Sequence, residues 1–154
     1  IAEIINTGKL VSGDIIKTVL DQYLDDLDPK MHAVFDGVPR TMNQVEFFHA
    51  SLQEHNLDDN VILYFHLSDE ESRKRLLGRA EQSKENGEEV RVDDSKIEII
   101  ETRIEEYNNR TIPLIEHYKA QGTLIQIDAS GTIEEVNNLV HEALKPHCSE
   151  GKQA

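Results

Sequence analysis

Between residues 12 and 27 the chain reads "SGDIIKTVLDQYLDDL", with Ile15, Ile16, Val19, Leu20, Tyr23 and Leu27 recurring near every third or fourth position. That period predicts an amphipathic helix, with Ser12 at its N-cap. The opening "IAEIINTG" already reads as amphipathic helix. Residues 32–36 predict a strand, and 41–54 a helix capped by Thr41. The near-continuous apolar run "NVILYFHL" predicts a strand covered on both faces. Ser68 and Glu71 then form a capping-box signature that opens another helix. Residues 80–92, "AEQSKENGEEVRV", lose periodicity and read as an exposed loop or flap. A long helical stretch over about 94–121 follows, bent or restarted at Pro113, and "GTLIQID" predicts a third strand. Thr132 and Glu135 make a second capping box before a final helix with Val136, Leu139, Val140 and Leu144. The tail after Pro146 is expected to fray.

Strands alternating with helices predict an α/β fold, a parallel sheet flanked by helices. Three strands are few for such a sheet, so a further strand is expected outside the sequence. One stretch breaks the pattern. "AVFDGVPRTMNQVEFF" begins as a strand and then meets Asp36, Gly37, Pro39 and Arg40, residue types that strand interiors avoid. Open α/β sheets place ligands at such carboxyl ends of strands.

Composition narrows the ligand. The 154 residues suffice for one domain, without repeat or linker. A formal charge of −14 argues against nucleic acid and anionic membrane surfaces as partners. An anionic ligand must therefore meet a local cluster of cations. The longest apolar run is far short of a membrane span. The single cysteine, Cys148, fits a reducing compartment, and the scattered histidines lack metal-ligand spacing.

The arginines supply such a cluster. Arg75 and Arg79 in "RLLGR" share one helix face, where like charges repel unless an anion lies between them. Arg91 lies beyond the flap, Arg103 on the long helix and Arg40 after the first strand. Each one alone reads as a surface ion pair among the many acids. Together they form a phosphate clamp, because the planar guanidinium binds phosphate oxygens bidentately.

These residues, in this order, resemble adenylate kinase. The family's Asp-Gly-Phe-Pro-Arg-Thr signature, with Gln four residues past the Arg, is similar to "DGVPRTMNQ" except at Val38. "GKLVSGDII", the Arg75–Arg79 pair, "RVDD", "RIEEYNNRTIP" and "LIQIDASGTIEEV" resemble further family motifs in sequence. The resemblance implies reversible phosphoryl transfer, ATP plus AMP to two ADP, by a cytoplasmic monomer using magnesium and no zinc. By resemblance, Lys9, Leu10, Val11, Gly37, Val38, Pro39, Arg40, Gln44, Arg91 and Arg103 hold AMP. Arg75, Arg79 and Gly131 hold ATP, and Asp36 lies near magnesium through water. Arg40, Arg79, Arg91 and Arg103 are the implied catalytic cations. The implied regions are the end of the monophosphate-binding part (about 1–27), a core (about 28–79 and 105–154) and a lid (about 80–104).

Three departures qualify the match. The family's phosphate loop, G-x-x-x-x-G-K-[ST], is absent and is expected upstream of Ile1, on a strand lying between 33–37 and 61–66. The sequence then lacks the sheet's central first strand, and the 154 residues alone are expected to fold poorly and be inactive. The lid matches neither usual length and lacks zinc-binding cysteines. One extra residue stands between Asp94 and Arg103. A UMP/CMP-type kinase is the nearer alternative, with Thr41 where those enzymes usually carry Asn. A non-catalytic nucleotide-binding or interaction protein is the alternative of a different class.

Overall fold

Leucines four apart, Leu20 and Leu24, form the buried stripe of the first helix, α1 (Gly13–Asp25). Val19 and Tyr23, expected on that stripe, are instead 59% and 49% exposed. The second helix, α2 (Met42–Glu54), buries Gln44, Val45, Phe48, Ser51 and Leu52, which lie on one side at helical spacing. Ser12 and Thr41 occupy the N-cap positions as expected, though neither side chain makes a capping hydrogen bond. A computed structural model describes residues 7, 9–28, 31, 33–57, 61–90 and 96–147 of the chain.

Leu20, Leu24, Phe48 and Leu52 form one core between α1 and α2, with Phe35 and Val38 packed against it. A polar seam borders this core. Ser51 Oγ donates to Asp21 Oδ1 at 2.6 Å, and His55 faces the Ser51 carbonyl oxygen through Nδ1 (2.8 Å) and Asp25 through Nε2 (3.0 Å).

The strand expected over 32–36 does not form: residues 33–35 have no regular structure, and His32 lies outside the described residues. An extended segment becomes a strand only when a neighbour accepts and donates its ladder bonds, and none does so among the described residues. Phe35 is held by packing instead, its ring 5.2 Å from Phe48 and edge-on to it.

Strand β1 (Ile62–His66) pairs in parallel with β2 (Leu124–Asp128), from Ile62 opposite Leu124 to His66 opposite Asp128. The parallel α/β fold holds, with two strands rather than three among the described residues, and β1 does not pair with the 33–37 segment. Nor is β1 covered on both faces: Phe65 is 48% exposed. A second core joins Val45 of α2 to Leu114 and Tyr118, with Ile62 and Leu124 from the strands beside it.

Helix α3 (Asp69–Glu85) starts at Ser68, whose hydroxyl accepts from Glu71 N. The expected reciprocal bond of that box gives way to an ion pair, since the Glu71 carboxylate turns to Arg75. Residues 80–85, expected as loop, continue α3. Glu, Gln and Lys are strong helix formers, so a polar run without apolar period can still be helical. The helix ends in a Schellman turn, with Gly87 at φ 71° and Glu88 N donating to Ser83 O.

Helix α4 (Ile97–Glu106) runs through a π-helical turn (Tyr107–Thr111) directly into α5 (Ile112–Gln121). The expected break at Pro113 is therefore an extra residue in a continuous helix. Ile112 N donates five residues back, to Tyr107 O. The last helix, α6 (Ile133–Leu144), carries the full Thr132–Glu135 capping box, but its expected core residues are not buried, with Leu139 46% exposed. Within the described residues no helix is long and apolar enough to cross a membrane.

Candidate functional site

The turn after Phe35 is built around Gly37, whose φ of 73° is a region that L side chains rarely adopt. With no Cβ there, the Arg40 side chain folds back over the glycine. Its Nε donates to Gly37 O at 2.7 Å, and a Cβ at Gly37 would lie 2.4 Å from Arg40 Nη2. The Arg40 N–H donates to Gln44 Oε1 at 2.6 Å, and Gln44 is only 4% exposed. On the other side, Thr111 Oγ1 donates to Arg40 O at 3.0 Å. Val38 packs on the α1–α2 core, and Pro39 follows it through a cis peptide. Lys9, Leu10 and Val11 lead into α1, with Lys9 exposed and the two apolar residues half-buried.

A second group joins α3 to the loop after β2. Arg75 Nε donates to Glu71 Oε1 at 3.1 Å, while Nη2 donates to Ser130 O at 3.1 Å and to Gly131 O at 3.3 Å. Asp128 fixes that loop as well, its Oδ1 accepting from Ser130 N at 2.9 Å. The Ser130 hydroxyl and amide hold the Asp128 carboxyl below its usual range. Arg79 stands one turn further along α3, exposed.

At the carboxyl end of β1 is an open cleft of about 190 Å³ bordered by Phe65, Asp69, Arg103 and Tyr107. Tyr107 and Tyr64 share a hydrogen bond of 2.6 Å between their hydroxyls. Burial, then that bond, pushes the Tyr107 phenol well above its ordinary range, so it stays protonated. Asn108 Nδ2 donates to Asp69 Oδ2 at 3.3 Å. Arg73 clamps Glu101 through two bonds, of 2.6 and 3.0 Å, and so fixes α3 against α4, which carries Arg103.

The structure thus brings Arg75 to Gly131, and Arg40 to Gly37 and Gln44. Arg91 lies outside the described residues. Asp36 is an exposed carboxylate. The described residues hold no cluster of three His, Cys, Asp or Glu side chains able to cage a metal. A single acid fits magnesium, which is usually bound by one or two carboxylates together with substrate phosphates and water. Sequence reasoning missed Tyr107 and Glu71. Their signals were present: Tyr107 lies four residues after Arg103, and Glu71 four before Arg75, one helical turn in each case.

The arrangement offers guanidinium groups at the edges of a sheet's carboxyl end, suited to holding phosphates. Comparison with known proteins agrees. The family model for adenylate kinase matches residues 1–123. An adenylate kinase of Parabacteroides distasonis is 34% identical over 140 residues, covering 91% of this chain and 70% of its own length. One from Xanthobacter autotrophicus is 33% identical over 141 residues, covering 92% of this chain and 72% of its own. One from Leptospira biflexa is 34% identical over 139 residues, covering 90% and 71%.

Proposed function

The chain belongs to the adenylate kinase family of nucleoside monophosphate kinases, and from that premise we propose that the complete protein transfers a phosphoryl group reversibly from ATP to AMP, as a cytoplasmic monomer using magnesium. The observation that carries the reading is Arg40: its backbone is fixed on both sides and its guanidinium sits on the one glycine that leaves room for it.

In this reading Arg40 takes the phosphate of AMP. Lys9, Leu10, Val11, Gly37, Val38 and Pro39 line the monophosphate pocket. Gln44 meets the base through its NH2 group and the remaining lone pair of Oε1, since Arg40 N–H already uses the other. Arg75 and Arg79 face ATP, and Gly131 O, which accepts from Arg75, would offer its remaining lone pair to the adenine. Arg91 and Arg103 reach the transferring group, and Asp36 would hold magnesium through water. Magnesium, when bound, would supply neutralisation of the negative charge on the phosphates.

Phosphoryl transfer asks for little covalent work from the protein, so catalysis consists of aligning the two nucleotides and neutralising charge. Arginines suit this because they remain charged and bind two oxygens at once. The region over about 80–104 would close as a lid and exclude water, which otherwise competes for the phosphoryl group.

Turnover of AMP, UMP, CMP and GMP by the complete protein with magnesium and ATP tests the reading. AMP is expected to be the preferred acceptor. A preference for UMP or CMP would replace it with the pyrimidine-kinase reading, and turnover of none would favour a nucleotide-binding protein without transfer.

A further inference from the structure

Three hydrogen bonds converge on Arg40, and only one of them reaches beyond its own turn. The bonds to Gly37 and Gln44 join residues three and four apart, so they travel with the loop wherever it goes. The bond from Thr111 Oγ1 to Arg40 O joins residues 71 apart, and among the described residues it is the hydrogen bond that ties this peptide to the continuous helix carrying Arg103.

Helical threonines ordinarily turn the hydroxyl back onto their own helix. Thr18 does so onto Asp14 O and Thr102 onto Glu98 O, each at 2.9 Å. Thr111 does not. It ends the π-helical turn, and the Tyr107 carbonyl four residues before it already accepts from Ile112 N. The extra residue of a π turn advances everything after it by about 100° relative to an α-helix. Pro113 follows with no N–H to restore the α pattern. The start of α5 is held near the loop because Leu114 and Tyr118 pack on Val45, the residue after Gln44.

We propose that Thr111 is a positioning residue for AMP: its hydroxyl holds the Arg40 peptide in register with Arg103, so that both arginines meet one phosphate. This rests on the reading that Arg40 takes the AMP phosphate. The test measures folding, KM for AMP, KM for ATP and kcat on the complete protein for Thr111→Val, Thr111→Ala, Thr111→Ser, Arg40→Ala and the Arg40→Ala/Thr111→Val pair. Thr111→Val keeps the shape and removes the donor. It is expected to raise KM for AMP about three- to tenfold, the effect of one neutral hydrogen bond, and to leave KM for ATP within about twofold. Thr111→Ser should restore wild-type values, and the pair should be no worse than Arg40→Ala alone.

The inference is overturned if Thr111→Val spares AMP while Arg40→Ala impairs it, if both Michaelis constants rise alike, if Ser is as impaired as Val, or if the two effects multiply. Loss of folding in both Thr111→Val and Thr111→Ala would make the hydroxyl a structural requirement and equally overturn it. An Arg40→Ala variant with unchanged KM for AMP would bring down the parent reading and this one together, an outcome distinct from the others.

Discussion

Replacing Gly37 with Ala perturbs two things that can be measured separately. The first is backbone. At φ 73° an added Cβ strains the residue, at a cost of about 1–2 kcal/mol. In a domain of this size that lowers Tm by about 2–8 °C. The second is Arg40. The new Cβ would lie 2.4 Å from Nη2 and 2.9 Å from Nε, and the flexible side chain yields before the backbone does. The guanidinium then leaves Gly37 O and its seat over the turn. Loss of a charge-assisted contact to phosphate is worth about 1.5–3 kcal/mol, so KM for AMP should rise at least about tenfold, with KM for ATP little changed. Gly122 provides the control. It has the same φ of 73°, but its added Cβ meets nothing within 4 Å. Gly122→Ala should lower Tm by a similar amount and leave both Michaelis constants alone. Thermal melts and initial rates on the two variants decide. If Gly37→Ala and Gly122→Ala had the same KM for AMP, Arg40 would not be the reason for the glycine.

Arg40→Ala itself should weaken AMP use by about 1.5–3 kcal/mol and spare ATP; a raised KM for ATP with AMP unaffected would exchange the two assigned pockets. Ile100, 1% exposed, should cost about 2–5 kcal/mol when cut to Ala, read as a lower urea midpoint, and a shift worth under about 1 kcal/mol would refute its role in the core. The Ser51 carbonyl and then the Asp25 carboxylate raise the His55 pKa above its ordinary 6.5. The stabilisation is therefore fully present below about pH 6.5 and is lost as pH rises through the raised value. Urea midpoints should fall across that window in the wild type and less so in His55→Gln; equal pH profiles for the two would refute the linkage.

What could be read from sequence divides by the distance over which each interaction acts. The Thr132–Glu135 box and the N-cap at Thr41 depend on residues within one turn, and both were legible. The parallel sense of the sheet followed from strands alternating with helices, whereas the choice of β2 as the partner of β1 did not. The strand expected at 32–36 was not a property of its residues alone, because a ladder needs a partner. Residues 80–85 were misread because the absence of an apolar stripe was taken as the absence of helix, although propensity alone favoured one. The Arg75–Gly131 contact spans 56 positions; the family resemblance grouped the two residues only as ATP-side, and no local pattern indicated that they would touch. Thr111 stood in a recognised motif, yet nothing along the chain indicated that its hydroxyl would cross to Arg40, since a π turn leaves no plain periodic trace.

Helix α2 shares in both cores, and this orders events as the chain is synthesised. Phe48 and Leu52 find their partners, Leu20 and Leu24, among residues already made, so the α1–α2 pair can collapse before the rest of the chain is made. Val45, on the same helix, must wait for Leu114 and Tyr118. Until α5 emerges, one flank of α2 is sealed and the other is wet. The nascent chain thus carries the turn over residues 36–41 half-supported, and the Thr111 bond to Arg40 O can form only when the distant helix arrives to close the second core.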